Sequence, residues 1–456
     1  VAAGLVASLL ALTGCALPAS EAAPAPAPTS TTTTTWTLEP TTTTSSTTTT
    51  TVAPATTFTA AATQQPSELL RTLGVTWSKT PASSCLMVSE GSRVVFERNP
   101  DAPVAPASTM KLLTATAVLQ RIDPTTRLVT PVVATAAPDA TGTVAGDLWL
   151  VGGGDPVLGT SAYRAHFTRQ PRLVNGIETL ADRLVAAGLR HVTGRVVGDD
   201  GRYERRRYGA TWPARYVTDN ETGPLSALAV NDGFERWDPD VPFKDPAAGA
   251  AGVLEELLRQ RGVTVDGLPA SGSAPQGAVE VASLGSPSIG ELVGQMLLDS
   301  DNDTAELLLR ELGLRVLGQG TTDAGRRVAI DTLTRLGLPM RGIRMVDGSG
   351  LDPSDRVTCR LMVALVTTGP ARTTISSAVP VAARTGTLYK RFLRTPVAGR
   401  LRAKTGSIKG VASLVGWVDS TAGHTYTFAY VENGVTSSQG SHLQDEVGTD
   451  LVLAAP

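Results

Sequence analysis

Three short strings, far apart in the chain, constrain its fold more than anything else in it: Ser108-Thr109-Met110-Lys111, Ser300-Asp301-Asn302 and Lys404-Thr405-Gly406. Each carries one part of a single chemistry, so the parts are useful only if the fold brings them to one place. A serine hydroxyl is a poor nucleophile until a neighbour accepts its proton. In the first string a spacing of three sets Lys111 beneath Ser108 on one face of a helix. The helix N-terminus adds partial positive charge there. Lys111 acts as a base only when neutral, and burial or a second cation would depress its pKa. Lys404 is the candidate for that cation.

In the second string, the Ser300 hydroxyl is expected to relay a proton to a leaving amine and the Asn302 amide to bind a substrate carbonyl. Asp301 is expected to point away in a structural role. Alone, such a triplet also reads as a loop or helix cap. In the third string, strand alternation sends Lys404 and Gly406 to one side and Thr405 to the other. If that strand is an edge, it can pair with an extended substrate. Lys404 and Thr405 would then attract a terminal carboxylate, and Gly406 would permit close approach. The backbone N–H groups of Ser108 and Ser407 would form an oxyanion hole. Only six of the 40 basic residues are lysines, which leaves about 0.4 chance matches for S-x-x-K and about 0.05 for K-T-G. The catalytic candidates are Ser108, Lys111, Ser300, Asn302 and Lys404, with Thr405, Gly406 and Ser407 as substrate contacts.

A chain of 456 residues has length for roughly two or three domains. A net charge of -2 and a pI near 6.2 supply no basic field, which argues against a nucleic-acid partner. His166, His191, His424 and His442 are scattered without metal-ligand spacing. Gly152-Gly153-Gly154 runs into Asp155-Pro156 and reads as a turn, not as a phosphate cradle. No metal or organic cofactor is expected.

The first residues, Val1 to Leu12, form an apolar run too short to span a bilayer but suited to an export signal. No Met opens it and no basic segment precedes it, so an earlier start is expected. Leu12-Thr13-Gly14-Cys15 resembles a bacterial lipobox, which implies cleavage before Cys15 and lipidation of its thiol; an ordinary signal peptide is the alternative. Residues 16–65 are nearly all Thr, Ser, Ala and Pro and are expected to be a disordered spacer. Such an anchor and spacer would hold an exported domain away from the membrane. Export leaves Cys85 and Cys359 either as a disulfide or as two buried thiols.

Cys85 to Val88 and Val94 to Phe96, separated by Glu90-Gly91-Ser92, give a hairpin signal. Ala107 to Ile122 has the apolar period of a helix, and Arg402 to Ile408, Val411 to Val418 and Thr425 to Val431 read as strands. Two strands from the front and three from the back predict one five-stranded antiparallel sheet flanked by helices, in a mixed α/β (α+β) fold. Helices at Ser288 to Leu298 and Thr304 to Leu317 would carry Ser300 in their joining loop. The predicted division is 66–127 with 286–456 as the catalytic part, and 128–285 as an α/β insert. Within that insert, Leu148 to Val151 and Val192 to Val197 read as strands and Ile177 to Ala187 as a helix.

The three strings in this order occur in penicillin-binding proteins and class A β-lactamases. From about Thr76 onward the chain resembles the D-alanyl-D-alanine carboxypeptidases of the penicillin-binding protein 4 type, the S13 peptidases. Gly146 to Pro156, Gly194 to Asp200 and Asp347-Gly348-Ser349-Gly350-Leu351 look like further signatures of that family, and the long insert is another of its marks. The resemblance implies a DD-peptidase fold, an exported enzyme acting on peptidoglycan stem peptides, and covalent inhibition by β-lactams at Ser108. It leaves open whether trimming or cross-link cutting dominates. A class A β-lactamase would carry Glu-x-x-Leu-Asn after the second string, and none lies between Asn302 and Lys404. A wall-binding scaffold with little turnover is the remaining alternative, and the intact strings speak against it.

Overall fold

The structure is a computed structural model that describes residues 67–169, 171–368 and 371–454. The export-like run, Cys15 and the Thr/Ser/Pro-rich stretch lie outside the described residues.

Both ends of the described chain meet in one antiparallel sheet. From edge to edge its strands are Leu401–Ile408, Val411–Asp419, Thr425–Asn433, Cys85–Glu90 and Arg93–Arg98. The two strands that follow the edge are buried along nearly their whole length, which explains their continuous apolar character: helices cover both faces. Alternation sorts their side chains into two cores. Met87, Val415, Trp417, Ala429 and Val431 face the helices Lys111–Arg121 and Cys359–Thr367. Leu86, Val88, Leu414, Phe428 and Tyr430 face the C-terminal helix Ser437–Leu453 through Leu443, Val447 and Leu451. Cys85 and Cys359 form a disulfide that ties an inner strand to the helix Cys359–Thr367.

Residues 127–288 build a second sheet, in the order Ala270–Ser271, Val196–Asp199, Leu148–Val151, Arg127–Ala134, Val279–Ser288. Val196–Asp199 runs parallel to both of its neighbours and the other pairs are antiparallel. Its own core joins Val132, Leu148, Leu150 and Val196 to the helices Glu178–Ala186 and Pro246–Arg259. The strand expected across Val192 to Val197 is two pieces, His191–Val192 and Val196–Asp199. They belong to different sheets. The Gly152 to Gly154 run is a loop, with Gly154 N–H donating to the Ala227 carbonyl at 2.9 Å.

Candidate active site

Ser108 does not sit on the regular helix. It lies in a 3-10 turn, Ala107–Met110, that leads into the α-helix Lys111–Arg121. Ala107 just before it has φ of 48°, a costly conformation for a residue with a Cβ. The strain is held in place by the Pro106 carbonyl, which accepts from Thr109 Oγ1 at 2.7 Å and Ser413 Oγ at 2.6 Å. Ser108 alone in this turn is partly exposed; Ala107, Thr109, Met110 and Lys111 are buried.

The second string is a helix-to-helix joint. Helix Ile289–Asp299 ends at Ser300, which takes a left-handed φ of 64°. Asp301 then caps helix Asn302–Leu317, accepting from Thr304 N–H at 3.0 Å. Arg172 locks the joint from outside, bonding Asp299 at 3.0 Å and Asp301 at 3.1 Å. Asp301 therefore points away from the nucleophile, while Ser300 and Asn302 face it.

These elements converge. Lys111 Nζ lies 3.0 Å from Ser108 Oγ, 2.7 Å from Asn302 Oδ1 and 2.8 Å from the Ser349 carbonyl. A neutral amine has two N–H groups and one lone pair. With Asn302 and Ser349 taking the two N–H groups, the lone pair is left for Ser108. Opposite, Lys404 Nζ donates to Ser300 Oγ at 2.7 Å and to the Thr405 carbonyl at 2.8 Å.

Both lysines are fully buried. Burial pushes Lys111 down from 10.5 to about 8, against the opposing pull of the Asp347 and Glu306 carboxylates. Of the two expected causes, burial dominates at Lys111 and the neighbouring Lys404 charge does not. Removal from water is what depresses Lys111, and the lysine–lysine repulsion is felt at Lys404. That group is held well below the lysine range by burial first and the Lys111 charge second.

The third string lies on the edge strand of the five-stranded sheet, just past the stretch where Leu401 and Ala403 pair with residues 380–382. Gly406 there is demanded by space: a Cβ would lie 2.3 Å from Ser413 Oγ and 2.9 Å from both the Pro106 carbonyl and Ser108 N. Thr405 Oγ1 shares a 2.6 Å hydrogen bond with Thr387 Oγ1, and Ser407 Oγ one of 2.9 Å with Ser437 Oγ.

Ser108, Ser300, Asn302, Thr405, Gly406 and Ser407 line one open cleft of about 370 Å³. Lys111 and Lys404 sit beneath its floor. Sequence reasoning missed the rest of the lining, including Glu221, Thr387, Arg391, Ser437 and Gln444. Glu221 belongs to segment 127–288, and its carbonyl accepts from Asn302 Nδ2 at 2.5 Å. The Asn302 amide is thus held on both sides, by Lys111 and by that loop. The Ser349 carbonyl, also given no role from the sequence, had a local signal in the Asp347 to Leu351 signature; Glu221, Thr387, Arg391, Ser437 and Gln444 had none.

The family model described as D-Ala-D-Ala carboxypeptidase 3 (S13) matches residues 82–240 and 235–451. A carboxypeptidase DacB from Mycolicibacterium smegmatis is 31% identical over 74% of this chain and 73% of its own length. A D-alanyl-D-alanine carboxypeptidase from Actinomadura sp. is 27% identical, with 78% of each chain covered. Among solved structures, penicillin binding protein 4 from Haemophilus influenzae superposes with a TM-score of 0.71. The match covers 82% of this chain and 97% of that one at 18% identity, a likeness of fold.

Proposed function

Because this chain belongs to the D-Ala-D-Ala carboxypeptidase 3 (S13) family and is a serine-type peptidase, we propose that it trims the terminal D-alanine from peptidoglycan stem peptides through an acyl-enzyme on Ser108. The same chemistry cuts D-alanyl cross-links between stems, since both bonds follow a D-alanine. The observation that most supports this reading is the Lys111 amine, shared among Ser108, Asn302 and Ser349 within 3.0 Å.

The substrate lies as an added strand along residues 404–408 of the Leu401–Ile408 edge, beyond the stretch already paired with residues 380–382. Its terminal carboxylate faces Thr405, with Thr387 beside it, and favours the charged form of the Lys404 amine beneath. Lys111 takes the Ser108 proton as Oγ attacks the carbonyl of the penultimate D-alanine. The N–H groups of Ser108 and Ser407 receive the oxyanion. The proton that Lys111 took passes through the Ser300 hydroxyl, itself in contact with Lys404, to the amide nitrogen, the C–N bond breaks, and D-alanine leaves. Water then attacks the ester and restores Ser108. A β-lactam presents its ring amide to the same hydroxyl and acylates it. No metal or organic cofactor takes part.

This chemistry places the enzyme outside the cytoplasmic membrane, facing the wall. In this reading residues 1–15 serve export and lipid attachment at Cys15, and 16–65 are a spacer. Residues 66–127 and 286–456 form the peptidase domain, and 128–285 an inserted domain. A fluorescent-penicillin gel tests the core of the proposal: wild type labels covalently and Ser108→Ala does not. Label surviving in that variant would end the assignment. Acylation needs neutral Lys111, so its rate should rise with pH through about 8 and level off above. A rate still climbing near 10.5, the ordinary lysine value, would contradict the role given to burial.

A further inference from the structure

The aim of the Lys111 lone pair depends on two oxygens staying in place. Asn302 Oδ1 is fixed by a helix. The Ser349 carbonyl belongs to the loop Asp347 to Leu351, which has no regular structure of its own.

Glu306 holds that loop. It lies four residues beyond Asn302 on helix Asn302–Leu317, so the two share a face. Its side chain is buried, and a single oxygen, Oε1, accepts from Gly348 N–H at 2.9 Å and Ser349 N–H at 2.8 Å. Thr114 Oγ1, from the Lys111 helix, donates to the Gly348 carbonyl at 2.7 Å. Gly350 has a φ of 83°, and a Cβ there would lie 1.9 Å from the Ala107 carbonyl. The loop is thus pressed between the turn that carries Ser108 and the helix that carries Glu306.

A buried carboxylate is costly, and a neutral glutamine oxygen would accept the same two N–H bonds. The charge strengthens those two bonds and also acts on the Lys111 amine. We propose that Glu306 is a positioning residue for the Lys111 amine: its reach fixes the Ser349 carbonyl that orients the lone pair toward Ser108, and its charge sets how readily that amine gives up its proton. The inference rests on Lys111 acting as the base of the reaction proposed above.

The surrounding charges agree with this role. Glu306 and Asp347 both favour the charged form of Lys111, opposing burial, with smaller contributions from Asp301 and Asp303. Glu306 is itself raised to about 7, by burial and by Asp347, against its Ser349 bonds and the Arg310 charge.

Reach and charge separate in two variants. Glu306→Gln keeps the reach and loses the charge. The plateau rate of acylation by fluorescent penicillin should stay within about threefold of wild type, while the rising limb of its pH profile moves down by at least about half a unit. Glu306→Asp keeps the charge and loses the reach. Its plateau should fall at least about tenfold, with the limb in place and non-covalent penicillin binding unchanged. A merely structural residue would not divide its effects this way. An Asp variant with the wild-type plateau, or a Gln variant whose limb does not move, overturns the proposal. A wild type with no ionisation between about pH 6 and about pH 10, or label persisting in Ser108→Ala, would instead sink the reading of Lys111 and Ser108.

Discussion

The catalytic sheet and the sheet of residues 127–288 both bury titratable groups, yet they use them differently. In the inserted segment, burial raises Asp155 to about 6. Its oxygens accept from Val157 N–H at 3.0 Å and Asn175 Nδ2 at 2.7 Å, and Asn175 in turn donates to the Gly285 carbonyl. That chain of bonds closes loops and does not line the Ser108 cleft. Around Ser108, burial instead depresses two lysines whose hydrogen bonds run to the partly exposed hydroxyls of Ser108 and Ser300. The difference lies in position. Each catalytic string sits where an element ends or lies open: a 3-10 turn entering a helix, a joint between helices, the free edge of a sheet. Backbone and side-chain groups are available there for a ligand, whereas the bonds of Asp155 and Asn175 join one loop to another.

If that contrast holds, the largest effects come from substitutions at those junctions. Lys111→Ala removes the only amine touching Ser108 Oγ among the described residues and should slow acylation by about 10³-fold. A loss below tenfold would mean another group takes the proton. Gly406→Ala should come next, at about 10²-fold. Two of the three atoms its Cβ would crowd belong to the backbone, the Pro106 carbonyl and Ser108 N, so the edge strand has to move away from the oxyanion site. Penicillin acylation within threefold of wild type would show that the strand lies further from the reacting carbonyl than proposed.

The same contrast explains what could be read from the chain beforehand. The three strings, the sheet drawn from both ends, and the helices flanking Ser300 depend on local chemistry and periodicity, and the structure brings them together. The Cys85–Cys359 bond, left open by the sequence, depends on how a strand and a helix pack. Glu221, Thr387 and Gln444 reach the cleft only through such packing and carry no local signature. The parallel pairing of Leu148–Val151 with Val196–Asp199 is equally silent, because a short apolar run does not name its neighbour. Of the two causes expected for the Lys111 shift, the nearby cation can be guessed from a motif, but that burial is complete and outweighs it depends on packing.

The inserted core offers the reverse test. Leu180 is fully buried in helix Glu178–Ala186. Leu180→Ala should cost about 3 kcal/mol of stability, measured by denaturant unfolding. Acylation per folded molecule should remain within about twofold of wild type. A stability loss accompanied by an equal loss of acylation rate would mean that the inserted sheet supports the cleft throughout, and the division between the two regions would fail.

The smallest cost in stability is expected at the seam between them. Thr222 lies next to Glu221 in the inserted segment and donates through Oγ1 to Asp303 Oδ1 at 2.8 Å; Gly223 N–H donates to the other Asp303 oxygen at 3.3 Å. Asp303 follows Asn302 on the same helix, so this bond fixes the loop whose carbonyl holds the Asn302 amide. Thr222→Ala leaves a buried carboxylate with one partner fewer, which should cost about 1–2 kcal/mol. Burial already holds Asp303 well above the ordinary carboxylate range, and losing a hydrogen bond to its ionised form should raise it further. Acylation should slow by about threefold as Asn302 loosens, and Thr222→Ser should restore it by returning the hydroxyl. If Thr222→Ala acylates at the wild-type rate, the loop is only a neighbour of Asn302, and the inserted segment contributes a wall to the cleft without helping to aim its chemistry.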